Sequence, residues 1–433
     1  MTRKAFRGAI FHCLDNPAVA GHDEGVEYLH DGLLLVDDGR VEATGDAESL
    51  LPELSAEVEV VDLEGRLIVP GFVDCHVHFP QTDIIASYGE QLLDWLDKYA
   101  FPEEKRFADE AHASNVAEFF ADELLRNGTT TALVFATVHP QSVDAMFRAA
   151  QARNMRLVCG KVLMDKNCPH DLADTPQSGY DDSKALIQKW HGVDRLGYAI
   201  TPRFAVTSTE EQLELAGALA TEYPEVHVHS HLAENPDEVE LIEKLFPWSR
   251  SYCDVYDRFG LLRERAVYAH CLYLDEQDRA LMAEKRASIA FCPTSNLFLG
   301  SGLFDLAAAR AAGIKVGLAT DVGGGTSLNP LRTINEAYKV LQLQDQSLPA
   351  FEAIYLATLG GARALRLDDK IGNFEPGKEA DFTVLDSTTA SLTRRRLATT
   401  EDVAEKLFAL MMLGDDRAVV ATYIMGGLAY QAS

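Results

Sequence analysis

The chain lacks several features that would assign it to particular classes of protein. No apolar run in its 433 residues approaches the roughly 20 residues that cross a bilayer. The seven cysteines are odd in number and form no C-x-x-C pair, so a disulfide framework is not indicated. At the N-terminus, early basic residues precede only a short apolar stretch interrupted by His12, which predicts a first strand rather than a signal peptide. We therefore expect a reduced, cytoplasmic protein.

Positive charge is also scarce. The chain has 39 lysines and arginines against 67 aspartates and glutamates, which gives a formal net charge of -28. A protein this acidic should repel nucleic acid and anionic lipid, so we expect neither a nucleic-acid partner nor a membrane partner. Solubility is the simplest interpretation of the acidity, which says little about a neutral small substrate.

The two ends of the chain have similar patterns. Both contain short apolar runs separated by turn signals such as Asp-Gly and Gly-Gly. This pattern predicts one small composite β-sandwich domain built from residues 1–69 and 372–433. Residues 70–371 are then expected to form the main domain, and they are numerous enough for a barrel.

The middle of the chain alternates between strand-like and helix-like patterns. Eight such units in about 300 residues predict an α/β fold, a (β/α)8 barrel of the TIM type. The candidate strands lie at 72–77, 129–137, 156–164, 196–204, 226–235, 265–273, 287–296 and 314–325.

Five residues with metal-binding side chains fall at the ends of these candidate strands. His76 and His78 are two residues apart on the first strand, so their side chains share one face. His231, His270 and Asp321 end the fifth, sixth and eighth strands. Active sites of such barrels lie at the C-terminal ends of the strands, and nitrogen and carboxylate ligands suit zinc or iron. A lone histidine at a strand end is usually a hydrogen-bonded core residue, but five such residues on four strands favour a metal site.

Glu234 follows His231 by three residues. A glutamate beside a metal-activated water is the expected general acid-base residue. The alternative is a carboxylate at the start of the helix that contains Pro236, and the two interpretations are compatible. His227 and His229 share the strand face of His231 but lie deeper, so they are predicted to pack or to support the ligands.

This ligand pattern resembles the amidohydrolase superfamily, with H-x-H on the first strand, histidines on the fifth and sixth, and aspartate on the eighth. The resemblance covers nearly the whole chain, including the composite sheet domain. The H-x-x-E of "HLAE" is similar to the deaminase branch, which typically binds one metal ion. Another branch bridges two ions with a lysine on the fourth strand. Lys161 and Lys166 are the nearest lysines, and neither is predicted to be a bridge.

Four further stretches resemble the guanine-deaminating branch of that superfamily. They are "DCHVHFPQTD", "WLDKYAFPEE", "TPRFAVTST" and "GLATDVGGGTS". The resemblance implies hydrolytic deamination of guanine to xanthine and ammonia, in purine catabolism. It also implies one Zn2+ per subunit, with Fe2+ as the other option, and a homodimer.

Three residues are predicted to recognise the purine. Guanine offers O6 and N7 as adjacent acceptors, which Arg203 can meet together. Gln81 has both a donor and an acceptor, and the resemblance implies that it contacts the purine. Phe204 can pack against the ring. The alternatives are an ion pair for Arg203 and a core position for Phe204.

The resemblance also implies a division of roles in the reaction. His76, His78, His231 and Asp321 are expected to hold the ion, and His270 is either a further ligand or a hydrogen-bond partner of the attacking hydroxide. Glu234 is expected to protonate the ring nitrogen beside C2. The expected catalytic residues are Glu234, Asp321 and His270, and substrate contacts are expected from Gln81, Arg203, Phe204, His231, Glu234 and Asp321. Trp95, Tyr99 and Phe101 are predicted to form a pocket wall, a subunit contact or ordinary packing.

Two alternative functions remain at this point. A related enzyme could act on another purine, a pterin or a triazine. A barrel without catalysis could serve as a binding or assembly module, but such a module would be expected to have lost ligands that this chain retains. The chain has no P-C-x-x-C motif of the cytidine-deaminase type.

Overall fold

The computed structural model describes residues 3–432. Its strands, in chain order, are β1 Lys4–Cys13, β2 Val26–Asp37, β3 Arg40–Asp46, β4 Glu59–Pro70, β5 Phe72–His78, β6 Thr129–Phe135, β7 Arg156–Gly160, β8 Val162–Leu163, β9 Leu196–Pro202, β10 His227–Leu232, β11 Ala266–His270, β12 Ser288–Phe291, β13 Lys315–Leu318, β14 Phe382–Leu385, β15 Val419–Ile424 and β16 Gly427–Gln431.

The α-helices surround these strands. They are α1 Pro17–Ala20, α2 His22–Gly25, α3 Ala47–Leu50, α4 Leu92–Trp95, α5 Phe101–Glu104, α6 Glu110–Arg126, α7 Pro140–Ala152, α8 Pro176–Trp190, α9 Glu210–Glu222, α10 Pro236–Leu245, α11 Tyr252–Arg258, α12 Glu276–Glu284, α13 Pro293–Phe298, α14 Leu306–Ala311, α15 Pro330–Gln342, α16 Ala350–Ala357, α17 Leu359–Ala364, α18 Ser391–Leu397 and α19 Val403–Leu413. A π-helical turn, Leu96–Ala100, joins α4 to α5. Across residues 3–432, no helix has the length and apolar character needed to span a membrane.

Eight parallel strands form the barrel, in the order β5, β6, β7, β9, β10, β11, β12, β13, and short β8 pairs with β9. Every residue of β5 and β6 is buried, as expected for strands covered on both faces. The ring closes at its mouth, where Asp321 N donates to His76 O at 3.0 Å and His78 N donates to Val322 O at 2.7 Å. The predicted fold class is therefore confirmed.

The second sheet joins the two ends of the chain. Its order is β16, β15, β14, β4, β1, β2, β3, so its seven strands follow one another in one hydrogen-bonded path. Rings from both ends pack in its core, where Phe6 lies 4.8 Å from Phe382 and 5.0 Å from Tyr423 between centroids. The predicted composite β domain is thus present, and the boundaries at 69/70 and 371/372 stay a prediction.

Two details near the C-terminus differ from the sequence pattern. A strand was expected near 370–374, but Gly372 adopts a φ of +97° and the segment turns instead. In the C-terminal segment, which was expected to be rich in strands, β14 is followed by two helices, α18 and α19. The sequence pattern did not predict these helices. Asp402 caps α19 by accepting from Glu405 N at 2.8 Å.

Buried charges connect the two sheets at the end of the barrel opposite its mouth. Arg156 and Arg195 lie at the starts of β7 and β9. Both donate to Glu379, Arg156 Nε to Oε2 at 2.8 Å and Arg195 Nη2 to Oε2 at 2.6 Å. Arg195 also donates to Asp381, just before β14.

Candidate metal centre and active site

The carboxyl ends of four barrel strands bring the predicted ligands together. His76, His231, His270 and Asp321 are all buried and offer ligand atoms that lie within 4.8 Å of one another. His78 Nε2 lies 3.1 Å from His76 Nε2, 3.2 Å from His231 Nε2 and 3.5 Å from Asp321 Oδ1. All five side chains predicted from the sequence therefore meet at one point.

The hydrogen bonds of the imidazoles direct lone pairs toward this point. His231 Nδ1 donates to Arg203 O at 2.6 Å, and His270 Nδ1 donates to Asn296 Oδ1 at 2.8 Å. Each ring, when neutral, then has a bare Nε2, and Nε2 of His270 is buried without a hydrogen-bond partner among residues 3–432. Nitrogen lone pairs packed this closely repel one another unless a cation lies between them. The donor set therefore fits a divalent metal ion.

The ionisation of these groups also suits a metal. Burial, with the neighbouring histidines, lowers the pKa of His78 and His231 well below the ordinary value. Burial alone would raise the pKa of Asp321, but the charge and hydrogen bond of His76 hold it below its usual range. Burial alone would lower the pKa of His270, but the charges of Glu234 and Asp321 raise it above the ordinary value. Metal ligation requires neutral imidazoles and an ionised carboxylate, which the shifts of His78, His231 and Asp321 favour.

Asp74 is a buried carboxyl group that contacts the backbone of the predicted ligand His76. Its Oδ1 accepts from His76 N at 3.2 Å and from Thr320 N at 3.1 Å, and Thr320 Oγ1 donates to its Oδ2. Burial raises the pKa of Asp74 to about 7. One carboxyl group thus fixes β5 against the segment that carries Asp321. The single Asp of "DCHVH" was the available signal, but nothing in the sequence distinguished its role.

Glu234 lies beside His270 at the mouth. Its Oε2 is 3.3 Å from His270 Nε2, and its Oε1 accepts from Ser301 Oγ at 3.0 Å. Burial raises the pKa of Glu234 to about 7, so the carboxyl group can carry a proton near neutral pH. The helix that follows is capped by Asn235 and Glu238, not by Glu234. The Glu234 side chain therefore does not cap this helix and faces the predicted ligands instead.

A small pocket opens above the predicted ligands, with a cavity volume of about 30 Å3. All six residues predicted to contact substrate line it, together with apolar side chains from α4 and the following turn. The lining residues are His78, Gln81, Leu92, Trp95, Leu96, Arg203, Phe204, His231, Glu234, His270, Leu299, Asp321 and Gly324. Tyr99 and Phe101 are not among them, and Phe101 instead packs under the guanidinium of Arg203, with its centroid 5.3 Å from Cζ.

A buried glutamate that the sequence did not single out joins two of these residues. Glu104 accepts from Arg203 Nη1 at 2.7 Å and from Gln81 Nε2 at 3.0 Å. The ion pair that was the alternative interpretation of Arg203 is therefore present alongside its place in the pocket. The signal was the second glutamate of "FPEE", but no sequence pattern distinguishes it from Glu103.

The remaining residues considered from sequence have other partners. His229 Nε2 lies 2.7 Å from His76 Nδ1, which makes His229 a support for a ligand. His227 Nε2 donates to Leu365 O at 2.8 Å, deeper in the barrel. Lys161 is fully buried and pairs with Asp174 at 2.5 Å, so it bridges no ions in this arrangement.

Comparison with known proteins agrees with this geometry. Residues 67–429 match the amidohydrolase family. The chain is 51% identical to guanine deaminase of Escherichia coli strain K12, over 99% of this chain and 98% of that protein. A solved structure of the E. coli guanine deaminase superimposes with a TM-score of 0.97 at 50% identity, covering 99% of this chain and 100% of that one. A guanine deaminase from C. acetobutylicum with guanine in its active site gives a TM-score of 0.89 at 28% identity, covering 99% and 100% of the two chains. This chain belongs to the amidohydrolase family.

Proposed function

We propose that this protein catalyses the hydrolytic deamination of guanine to xanthine and ammonia. The observation that carries the proposal is one pocket lined by metal-binding side chains, a buried glutamate and a pair of purine-recognising side chains. The similarity to guanine deaminases over the full length of the chain supports the same conclusion.

The resident metal is proposed to be one Zn2+ per subunit, with Fe2+ as the other candidate that these ligands accept. His76, His78, His231 and Asp321 would hold it, and His270 would either join them or orient the nucleophile. When bound, such an ion lowers the pKa of a water to about 7 and so supplies a nucleophile at neutral pH.

Two carboxyl groups handle the protons. Asp321, which is ionised, accepts a proton from the attacking water. Glu234 donates a proton to the ring nitrogen beside C2 as the C–O bond forms, so negative charge does not accumulate on the purine. The C–N bond to the exocyclic amine then breaks as the amine takes up the proton held by Asp321, ammonia leaves, and the new C2 hydroxyl returns a proton to Glu234 to give the carbonyl of xanthine. The raised pKa of Glu234 supports its role as the acid.

Three side chains that line the pocket are proposed to recognise the purine ring. Arg203 is proposed to donate to O6 and N7 of guanine, and Gln81 to pair with another polar edge. Phe204, which is buried beside His231 with ring centroids 6.4 Å apart, packs against the ring face. Groups placed to bond a polar edge reject rings that lack it, because the groups would otherwise stay unpaired.

A substrate panel tests the proposal. The purified, zinc-loaded protein is supplied with guanine, other purines, pterins and triazines, and ammonia release is measured for each. We expect guanine to be the preferred substrate and xanthine the product. Preferred turnover of a pterin or a triazine would establish the related alternative, and no ammonia from any of these rings would overturn deamination altogether.

The cellular location, the pathway and the oligomeric state of the enzyme are also proposals. We place it in the cytoplasm, in purine catabolism, as a homodimer. Light scattering on the eluted peak of a gel-filtration column would give twice the chain mass of 47.6 kDa if the dimer is correct.

A further inference from the structure

Glu104 contacts two substrate-facing side chains, and the proposed chemistry gives it no role. It ends α5, its side chain is 1% exposed, and it lies outside the pocket lining. Its Oε1 accepts from Gln81 Nε2 at 3.0 Å and Arg203 Nη1 at 2.9 Å, and its Oε2 accepts from Arg203 Nη1 at 2.7 Å. One carboxylate therefore couples the two predicted purine contacts.

Glu104 fixes the orientation of the Gln81 amide. The amide nitrogen donates to Glu104, and the amide oxygen accepts from Gly323 N at 3.2 Å. A flipped amide would set oxygen against carboxylate and NH2 against N–H, and both contacts repel. The second N–H of the Gln81 amide nitrogen and one lone pair of its oxygen are therefore held in a fixed orientation and stay available to a ligand.

Glu104 also determines which donors of Arg203 are available. Nη1 is occupied by Glu104, and the guanidinium lies above Phe101. Nη2 and Nε make no hydrogen bond to another residue within 3–432. These two nitrogens form the edge that can meet adjacent acceptors on a planar ring.

The charges of this pair cancel in a buried place. Arg203 and Glu104 side chains are 3% and 1% exposed, and their nearest charged atoms are 2.7 Å apart. Arg203 therefore offers hydrogen-bond donors with little net charge. A neutral ring can use these donors, whereas an anionic ring would gain less from Arg203 than from an unpaired guanidinium, because the adjacent Glu104 carboxylate repels it where water is excluded.

We propose that Glu104 is a positioning residue and a determinant of specificity that holds Gln81 and Arg203 and makes the pocket select an uncharged purine over an anionic one. This inference rests on the proposed function. Exchange of the amino group of guanine for a carbonyl oxygen makes a ring N–H more acidic, so the product ionises more readily than the substrate. The buried carboxylate then disfavours the anionic product and assists its release.

Three variants separate the effect of the Glu104 charge from the effect of the position of its carboxylate. Glu104→Gln keeps the size and an acceptor oxygen but removes the charge. Glu104→Asp keeps the charge but shortens the side chain. Glu103→Gln is the matched control, because Glu103 is the adjacent glutamate of the same helix and pairs with Arg106 at 2.7 Å, away from the pocket.

Binding and kinetics are measured with the zinc-loaded proteins. Calorimetry gives the Kd of hypoxanthine, an uncharged purine, and of urate, which is an anion at neutral pH. Steady-state kinetics give kcat and KM for guanine. Circular dichroism and zinc content verify the fold and the metal.

We expect wild-type protein to bind hypoxanthine more tightly than urate. Glu104→Gln should raise the KM for guanine about tenfold with a smaller change in kcat, and should shift the ratio of the two Kd values about tenfold toward urate. Glu104→Asp should raise KM without that shift, and Glu103→Gln should match wild type.

The outcomes distinguish this inference from the function on which it rests. Wild-type protein that releases no ammonia from guanine overturns the proposed function. Wild-type protein that turns over guanine but binds urate as tightly as hypoxanthine overturns the selectivity assigned to Glu104, whether or not any variant folds. A folded Glu104→Gln variant with unchanged KM and unchanged Kd ratio overturns both of its assigned roles.

Discussion

At the scale of single residues, protonation states set by burial determine what each group can do. Glu234 and Asp321 are both buried carboxyl groups near His270, yet burial raises the pKa of Glu234 to about 7, whereas the contact with His76 lowers the pKa of Asp321. Carboxyl groups whose pKa values move apart in this way can act as an acid and a base. These opposite shifts support the proposal that Glu234 donates a proton and Asp321 accepts one.

Replacing the proposed acid tests this assignment. Glu234→Gln should retain zinc, because the predicted ligands are unchanged, and should lower kcat for guanine by about 100- to 10,000-fold, the usual contribution of general acid-base catalysis. Zinc analysis and ammonia release measure the two effects. Glu240→Gln, an exposed change on α10, is the control. Retention of more than about a tenth of wild-type kcat by Glu234→Gln would exclude Glu234 as the acid.

Replacing Arg203, which is proposed to recognise the purine, tests substrate binding. Arg203→Ala should lower kcat/KM for guanine about 100-fold or more, since a pair of donors is lost and the buried Glu104 loses its cation while keeping only the hydrogen bond from Gln81. Bound zinc should stay at wild-type level. Arg148→Ala, which breaks an exposed pair with Glu110, should leave the kinetics unchanged. Kinetics like those of wild type in Arg203→Ala would refute its contact with the purine.

At the scale of helices and strands, the sequence predicts the barrel well because eight strand-like segments alternate with helix-like ones, and these strands are almost wholly buried. It also predicts that the five candidate ligands come together, since residues at strand ends converge in such a barrel, and their binding of a metal stays a prediction. It did not predict Glu104, whose partners Gln81 and Arg203 are distant in the chain, or Asp74, whose contacts depend on how the barrel closes. Nor did it predict α18 and α19, because the segment between β14 and β15 was grouped with the strand-rich end.

Asp74 connects two barrel segments, so its removal should weaken both stability and metal binding. Asp74→Ala leaves His76 N and both donors of Thr320 unpaired in a buried place. We expect a loss of about 3 kcal/mol in the free energy of unfolding and lower zinc occupancy. Denaturant unfolding and metal analysis measure these, with exposed Asp31→Ala as the control. An unchanged unfolding midpoint would show that Asp74 does not hold the closure together.

At the scale of the whole molecule, the composite sheet is joined to the closed end of the barrel through Glu379. Burial alone would raise the pKa of Glu379, but hydrogen bonds and charge from Arg156 and Arg195 lower it below its usual value. A carboxyl group with a lowered pKa in the folded state stabilises above its unfolded pKa of about 4.3, and this stability disappears as the pH falls through the folded value. The two sheets are therefore expected to separate more readily in acid.

The variant Glu379→Gln measures that contribution. Its Tm should lie below that of wild type near neutral pH, and the difference should shrink as the pH falls below about 4.3. Thermal unfolding at several pH values records the trend, and Glu42→Gln, which lies in an exposed pair with Arg3, should show little difference at any pH. A difference in Tm that grows on acidification would have the wrong sign for this account.

The central claim is that one cation, bound where five side chains meet, converts this barrel into a purine deaminase. It is tested most directly by removing metal with a chelator and titrating Zn2+ back while following guanine conversion by ultraviolet absorbance. We predict no turnover in the metal-free protein and full recovery at one equivalent of zinc per chain. Undiminished turnover without metal, or recovery only at two equivalents, would contradict the account.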